Sequence, residues 1–248
     1  LAVPALEKLD ADRILATSER LGRRIAERFP DAGLGRVCGQ LVELASHAKA
    51  TTLWIRKPNT GLRALSIGVI GTIVVVSVVV IVASVRSKEG PRDLGDVVQS
   101  FEAAMNGLVL LGAAIWFFIS IETRFKRGRV LKALHALRTL AHLIDVHQLT
   151  KDPDMFGSGA PPTAASPERT LAPWQLGRYL DYCTEMLSLT GKIAALYSDG
   201  FEDPEAVDAV TDLEALTNAL QHKIWQKIVL LESRTNGTPS SVLRGTAP

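Results

Sequence analysis

The chain's densest group of residues able to do chemistry is His135, Arg138, His142, Asp145 and His147, with Asp152 and Asp154 just beyond. Imidazole and carboxylate are common ligands of transition metals, and imidazole titrates near neutral pH. On a helix Arg138, His142 and Asp145 follow i, i+4, i+7 and share one face. His142 and Asp145 are therefore the candidate metal pair or pH sensor. The spacing matches no strong metal motif. A hydrogen-bonded network on the helix surface or between helices accounts for the same residues and is the preferred reading.

A second polar step is Glu102 and Asn106, one turn apart where an apolar run begins. In an oligomer they would ring a pore mouth, with Thr72, Ser77 or Ser120 lining deeper levels. The simpler reading solvates Asn106 at an interface. Neither apolar run contains an ionisable residue, which an ion or proton pathway usually shows.

Other chemistries find less footing. Lys223, Trp225 and Lys227 mix basic and aromatic residues, a pattern that fits a solvated helix face with one buried aromatic better than a nucleic-acid surface. The net charge of +2 supplies no basic field for nucleic acid. Gly61, Gly68 and Gly71 do not follow a strand and form no phosphate loop. Cys38 and Cys183 lie far apart and show no metal spacing. No Ser/His/Asp or Cys/His motif is present. The expectation is a protein that is not an enzyme and takes no cofactor.

The elements that position these residues are set by two apolar runs. Residues 64–85 carry no charge, and as a helix they extend about 33 Å, enough for a hydrocarbon core of about 30 Å. Valine dominates the run, but strands rarely exceed about ten residues, so length decides for a helix. Residues 107–121 alone give only about 22 Å, and starting at Ala103 gives about 28 Å, which spans. The reading is two transmembrane spans, 64–85 and 103–121, joined by an external loop at 86–102. Trp116 sits in the aromatic belt of the second span. The flanks carry Lys49, Arg56, Lys57 and Arg63 before the hairpin, and Arg124, Lys126, Arg127, Arg129, Lys132 and Arg138 after it. The loop carries only Arg86, Lys88 and Arg92, offset by acids. That bias puts both termini in the cytosol. The Ala- and Arg-rich composition points to a bacterial inner (plasma) membrane, crossed more than once.

Small residues at Ala64, Gly68 and Thr72, and at Ala103 and Gly107, recur every four positions, which lets helices approach closely in lipid. They pack the two spans together or join protomers. Trp54, Arg56 and Lys57 form an interfacial anchor before the first span, as Arg124, Lys126 and Arg127 do after the second.

Outside the hairpin the chain is helical. The first thirty residues are charged and amphipathic and lack the apolar core of a signal peptide. The chain begins at Leu1 rather than methionine, which leaves room for residues ahead of it. Asp10 caps a helix running to about Phe29, with Ile14, Leu21 and Ile25 on one face. A second helix runs from about Leu34 to Arg56. The second span continues as a stripe of Leu131, Leu134, Leu137, Leu140 and Ile144. Helices follow from Pro173 to about Ser198, and from Asp203-Pro204, an N-cap with proline at N1, to about Thr235.

The resulting division is 1–60 N-terminal helices, 61–122 hairpin, 123–150 extension of the second span, 151–172 Pro/Gly-rich linker, 173–236 a two-helix region, and 237–248 a disordered tail. The fold expected is all-α: a two-span transmembrane hairpin with a cytosolic helical bundle built from both termini. The function expected is an oligomeric membrane scaffold or sensor/adaptor whose partners are the lipid bilayer, further copies of itself and a cytosolic protein. The alternative is an oligomeric channel or pore-forming effector lined by the second span. This layout resembles several bacterial effector, sensor and channel families in topology alone, and no functional residue carries over from them.

Overall fold

The structure, a computed structural model, describes residues 9–57, 60–86, 94–151, 153, 164, 171–199 and 201–235. It is all-helical, with no strand among the described residues. The elements are α1 (Ala11–Arg28), α2 (Gly33–Arg56), α3 (Thr60–Arg86), α4 (Leu94–Leu149), α5 (Pro173–Ser198) and α6 (Pro204–Thr235). Two compact units result, Leu1–Arg56 with Val130–Pro248, and Lys57–Arg129.

Helix ends follow local chemistry. Asp10 Oδ1 accepts from the Asp12 amide at 2.8 Å and starts α1, and Pro30 follows its end. At the start of α5 the Gln175 side chain reaches back to the Ala172 amide at 2.8 Å, with Pro173 at the first helical position. Asp203, buried, accepts from the Ala206 amide at 3.2 Å ahead of Pro204.

The first unit is a helical bundle around α5, which packs against α1, α2 and α6. The wide apolar face of α5, from Leu176 through Tyr197, is buried, as its breadth requires. α1 contributes Ile14, Leu21 and Ile25, and α6 contributes Val210, Leu213, Ile224 and Leu231. Phe29 closes one end edge-on against Tyr179 and Tyr182, with ring centroids 5.6 and 6.2 Å away. α4 joins this core through Val130, Ala133, Leu134, Leu137, Leu140, Ala141 and Ile144. Leu131, expected on that stripe, is only half-buried, and Val130 takes the inward position. A helix of this length keeps a 3–4 repeat, so the inward row runs 130, 133/134, 137, 140/141, 144.

The second unit holds α3 and the first part of α4. Ser66 donates to the Phe118 carbonyl at 3.2 Å, and Lys126 Nζ donates to the Lys57 carbonyl at 3.0 Å. As one partner number rises the other falls, so the two segments run antiparallel. Lys126 also pairs with Glu122 at 2.9 Å, both side chains being largely covered. Among the described residues one helix, α4, is long and apolar enough to cross a membrane, from Met105 onward, and its apolar window is not buried. The described apolar run of α3, Ala64–Val79, is shorter.

α4 starts at Leu94, inside the segment expected as a loop up to residue 102. Polarity marks where a chain leaves an apolar environment, and a helix continues past that level wherever no Gly or Pro stops it.

Candidate functional site

The His/Asp group of α4 resolves into ties between helices. Asp145 Oδ1 accepts from Gln148 Nε2 at 2.6 Å and from Lys223 Nζ of α6 at 3.2 Å. Arg138 lies 3.6 Å from Asp212, also on α6. His135 and His142 are exposed. Among the described residues no three His, Cys, Asp or Glu side chains gather as a metal set. Asp145 and His142 share a helix, but Asp145 is turned to a lysine. Of this group, Asp145 and Arg138 thus tie α4 to α6.

Further along the seam, Lys227 Nζ donates to the carbonyls of Gln148 at 3.1 Å and Lys151 at 3.4 Å, which satisfies the end of α4. Gln148 is fully buried, and its Oε1 has no partner. Trp225, expected to be buried, is exposed and stacks on His222 at 6.2 Å. Its place between Lys223 and Lys227 turns it away from α4, because the lysines take the inner side.

His147 meets the start of α2, where a Cβ on Gly33 would come within 2.8 Å of its Cε1. Burial lowers its pKa below the ordinary value, and the nearby Arg36 and Lys151 push in the same direction. Both cysteines are free and buried. Burial pushes the Cys38 thiol up to about 11 and the Cys183 thiol up to about 12, with Lys227 acting the other way on Cys183. Such thiols are poor nucleophiles.

The polar positions of the second unit face their own helices. Thr72 Oγ1 donates to the Gly68 carbonyl at 2.9 Å, and Ser120 Oγ to the Phe117 carbonyl at 3.0 Å. Ser77 is half-buried, and Glu102 and Asn106 are exposed. The small residues Ala64, Gly68, Thr72 and Gly107 are also exposed, and a Cβ on Gly68 or Gly107 would meet nothing within 4 Å. The side chain of Ala103 lies outside the described residues. The observed α3–α4 seam passes through Ser66, leaving those small faces open.

Among the anchor residues, Trp54 is half-buried against the bundle core, and Trp116 is exposed. Arg124 stacks over Phe117 at 5.9 Å, Arg127 is half-buried, and Lys126 is buried beside Glu122. Lys57 is exposed and lends its carbonyl to Lys126. The Arg56 side chain lies outside the described residues.

The structure adds a feature that the sequence reading missed, an open cleft of about 520 Å³ lined by Arg24, Glu27 and Arg28 of α1 and Trp174, Arg178 and Tyr182 of α5. Arg24 meets Glu185 through Nη1 at 2.8 Å and Nη2 at 3.3 Å. That carboxylate raises the Arg24 pKa further. The available signal was Arg20, Arg24 and Arg28 one turn apart. Such a row ordinarily reads as a solvated face, and only the long-range packing of α5 supplies the aromatic wall.

Fold and site together define, among the described residues, an all-helical bundle protein with one helix long and apolar enough to cross a membrane. No family model matches the chain, nor does any curated protein or solved structure.

Proposed function

We propose that this chain is an integral membrane scaffold or adaptor. α3 and the first part of α4 cross the bilayer as a two-span hairpin with both termini in the cytosol, and the helical bundle binds a protein partner there. The observation that carries this reading is the uncovered apolar surface of the second unit. Leu65, Ile67, Val75, Val76, Val78 and Val79 on α3, and Leu108, Val109 and Leu110 on α4, are all exposed, with Ile67 and Leu110 each at 70%. Full burial of one such side chain is worth roughly 1.5–3 kcal/mol, so covering these part-exposed residues together gains on the order of 10 kcal/mol. That rivals the total stability of a typical domain, about 5–15 kcal/mol. Lipid covers such a surface without a further protein.

Several features agree with this reading. The antiparallel Ser66–Phe118 and Lys57–Lys126 contacts suit a hairpin. At 1.5 Å per residue, α3 with 27 residues measures about 40 Å, long enough for a tilted span with emerging ends. The basic flanks favour both termini in the cytosol. The open small-residue faces at Gly68 and Gly107 favour self-association in lipid. The pore alternative gains less, because the Thr72 and Ser120 hydroxyls are bonded to their own helices.

Alkaline carbonate extraction of membranes from cells expressing the full chain tests the proposal. The expected result is that the protein stays in the membrane pellet and that Val75→Arg with Leu110→Arg releases it. Release of the unmodified protein would overturn the reading.

A further inference from the structure

Arg24 and Arg28 stand one turn apart on α1, and each stacks over an aromatic ring of α5. Arg24 lies 5.2 Å above the Tyr182 ring, and Arg28 lies 6.0 Å above that of Trp174. The first stack is complete, because its guanidinium also grips the two oxygens of Glu185. The second lacks a carboxylate: among the described residues Arg28 makes no ion pair beside its stack. Trp174 is 63% exposed at the mouth of the same cleft.

We propose that the α1–α5 cleft docks an acidic segment of a partner protein. A carboxylate of that segment sits on Arg28 as Glu185 sits on Arg24, and a neighbouring apolar side chain lies on Trp174. This inference rests on the adaptor reading and names the chemistry of its partner.

Three observations favour this occupant. Two of the three arginines lining the cleft are already held, Arg24 by Glu185 and Arg178 by Asp181 at 3.3 Å, so among the described residues Arg28 is the guanidinium left open to a carboxylate. A guanidinium stacked on an aromatic ring keeps its N–H edge free and pre-aimed for a planar carboxylate. Glu27 in the wall disfavours the denser charge of a phosphate, whereas a carboxylate brings one charge and an apolar neighbour for Trp174. Arginine and tryptophan are also the residues that dominate protein–protein hot spots.

The test uses the full chain in phosphatidylcholine nanodiscs and a fluorescein-labelled oligoglutamate peptide carrying one leucine, read by anisotropy. Saturable binding is expected. Arg28→Gln and Trp174→Leu should each weaken it about fivefold or more, with circular dichroism and melting unchanged. Arg28→Lys should weaken it too, because lysine keeps the charge and loses the fork. Lys132→Gln, outside the cleft on α4, should leave it unchanged. Equal weakening by Arg28→Gln and Lys132→Gln would reduce the effect to long-range charge and overturn the proposal. So would the absence of peptide binding together with binding of phosphatidylglycerol vesicles, which would assign the cleft to lipid headgroups. A chain that enters nanodiscs but does not bind the peptide loses only this inference. A chain that binds the peptide but stays out of the bilayer loses only the membrane reading.

Discussion

Asp145 directs its Oδ1 to Lys223 across the α4–α6 seam, 3.2 Å away, and not to His142 on its own helix. The carboxylate thus ties two helices together instead of pairing with an imidazole. Asp145→Asn keeps the shape and removes the charge, so it should cost about 1 kcal/mol. His142→Ala, at an exposed position, should cost under about 0.5 kcal/mol. Thermal unfolding in detergent measures both, and added zinc should shift neither melting curve. Equal losses, or a zinc-dependent rise abolished by His142→Ala, would make the two residues a functional pair.

Gly191 marks a close approach of α5 to α6. A Cβ there would lie 3.1 Å from Thr217 Oγ1, which is buried. Gly191→Val should therefore destabilise by about 2 kcal/mol through overpacking. In a double-mutant cycle, Gly191→Ala with Thr217→Ala should cost less than the sum of the single changes, because removing the hydroxyl clears the space. Additive costs in urea denaturation would place the strain elsewhere.

The two thiols give a check on the bundle. With values pushed up to about 11 for Cys38 and about 12 for Cys183, and with both buried, neither should react with a disulfide reagent near neutral pH in the folded protein. Both should react once the chain is denatured. Rapid native labelling of either would mean that α1–α2 or α5–α6 packing differs from that described.

His147 couples the bundle to pH. Its folded pKa is lowered, so the folded protein resists the proton that the unfolded chain takes up near 6.5. Its contribution is fully present above about pH 6.5 and is lost as pH falls toward the folded value, with no further loss below it. Denaturation at about pH 7.5 and 5.5 should show a smaller acid penalty for His147→Gln than for the parent chain. The same penalty in both would remove His147 from the pH response.

The local half of the fold was legible in the residues. Asp10, Pro173 and Asp203-Pro204 mark helix starts through their own side chains or rings, and the spacing of Ile14, Leu21 and Ile25 names the buried face of α1. Long-range relations were less legible. The start of α4 at Leu94 was masked by the polar residues before Ala103. The destinations of Asp145 and Arg138 depend on α6, far away in sequence. The cleft needed Arg28 of α1 beside Trp174 of α5, and neither residue alone differs from an ordinary surface position.

The proposed bilayer hairpin keeps both termini on one side. Its most direct test is single-cysteine labelling in sealed, oriented membrane vesicles, with Cys38 and Cys183 replaced by serine. Ser87→Cys and Thr238→Cys are probed with a membrane-impermeant maleimide. The two positions should label from opposite faces, and Glu19→Cys should label from the same face as Thr238→Cys. Labelling of all three from one face would contradict the hairpin.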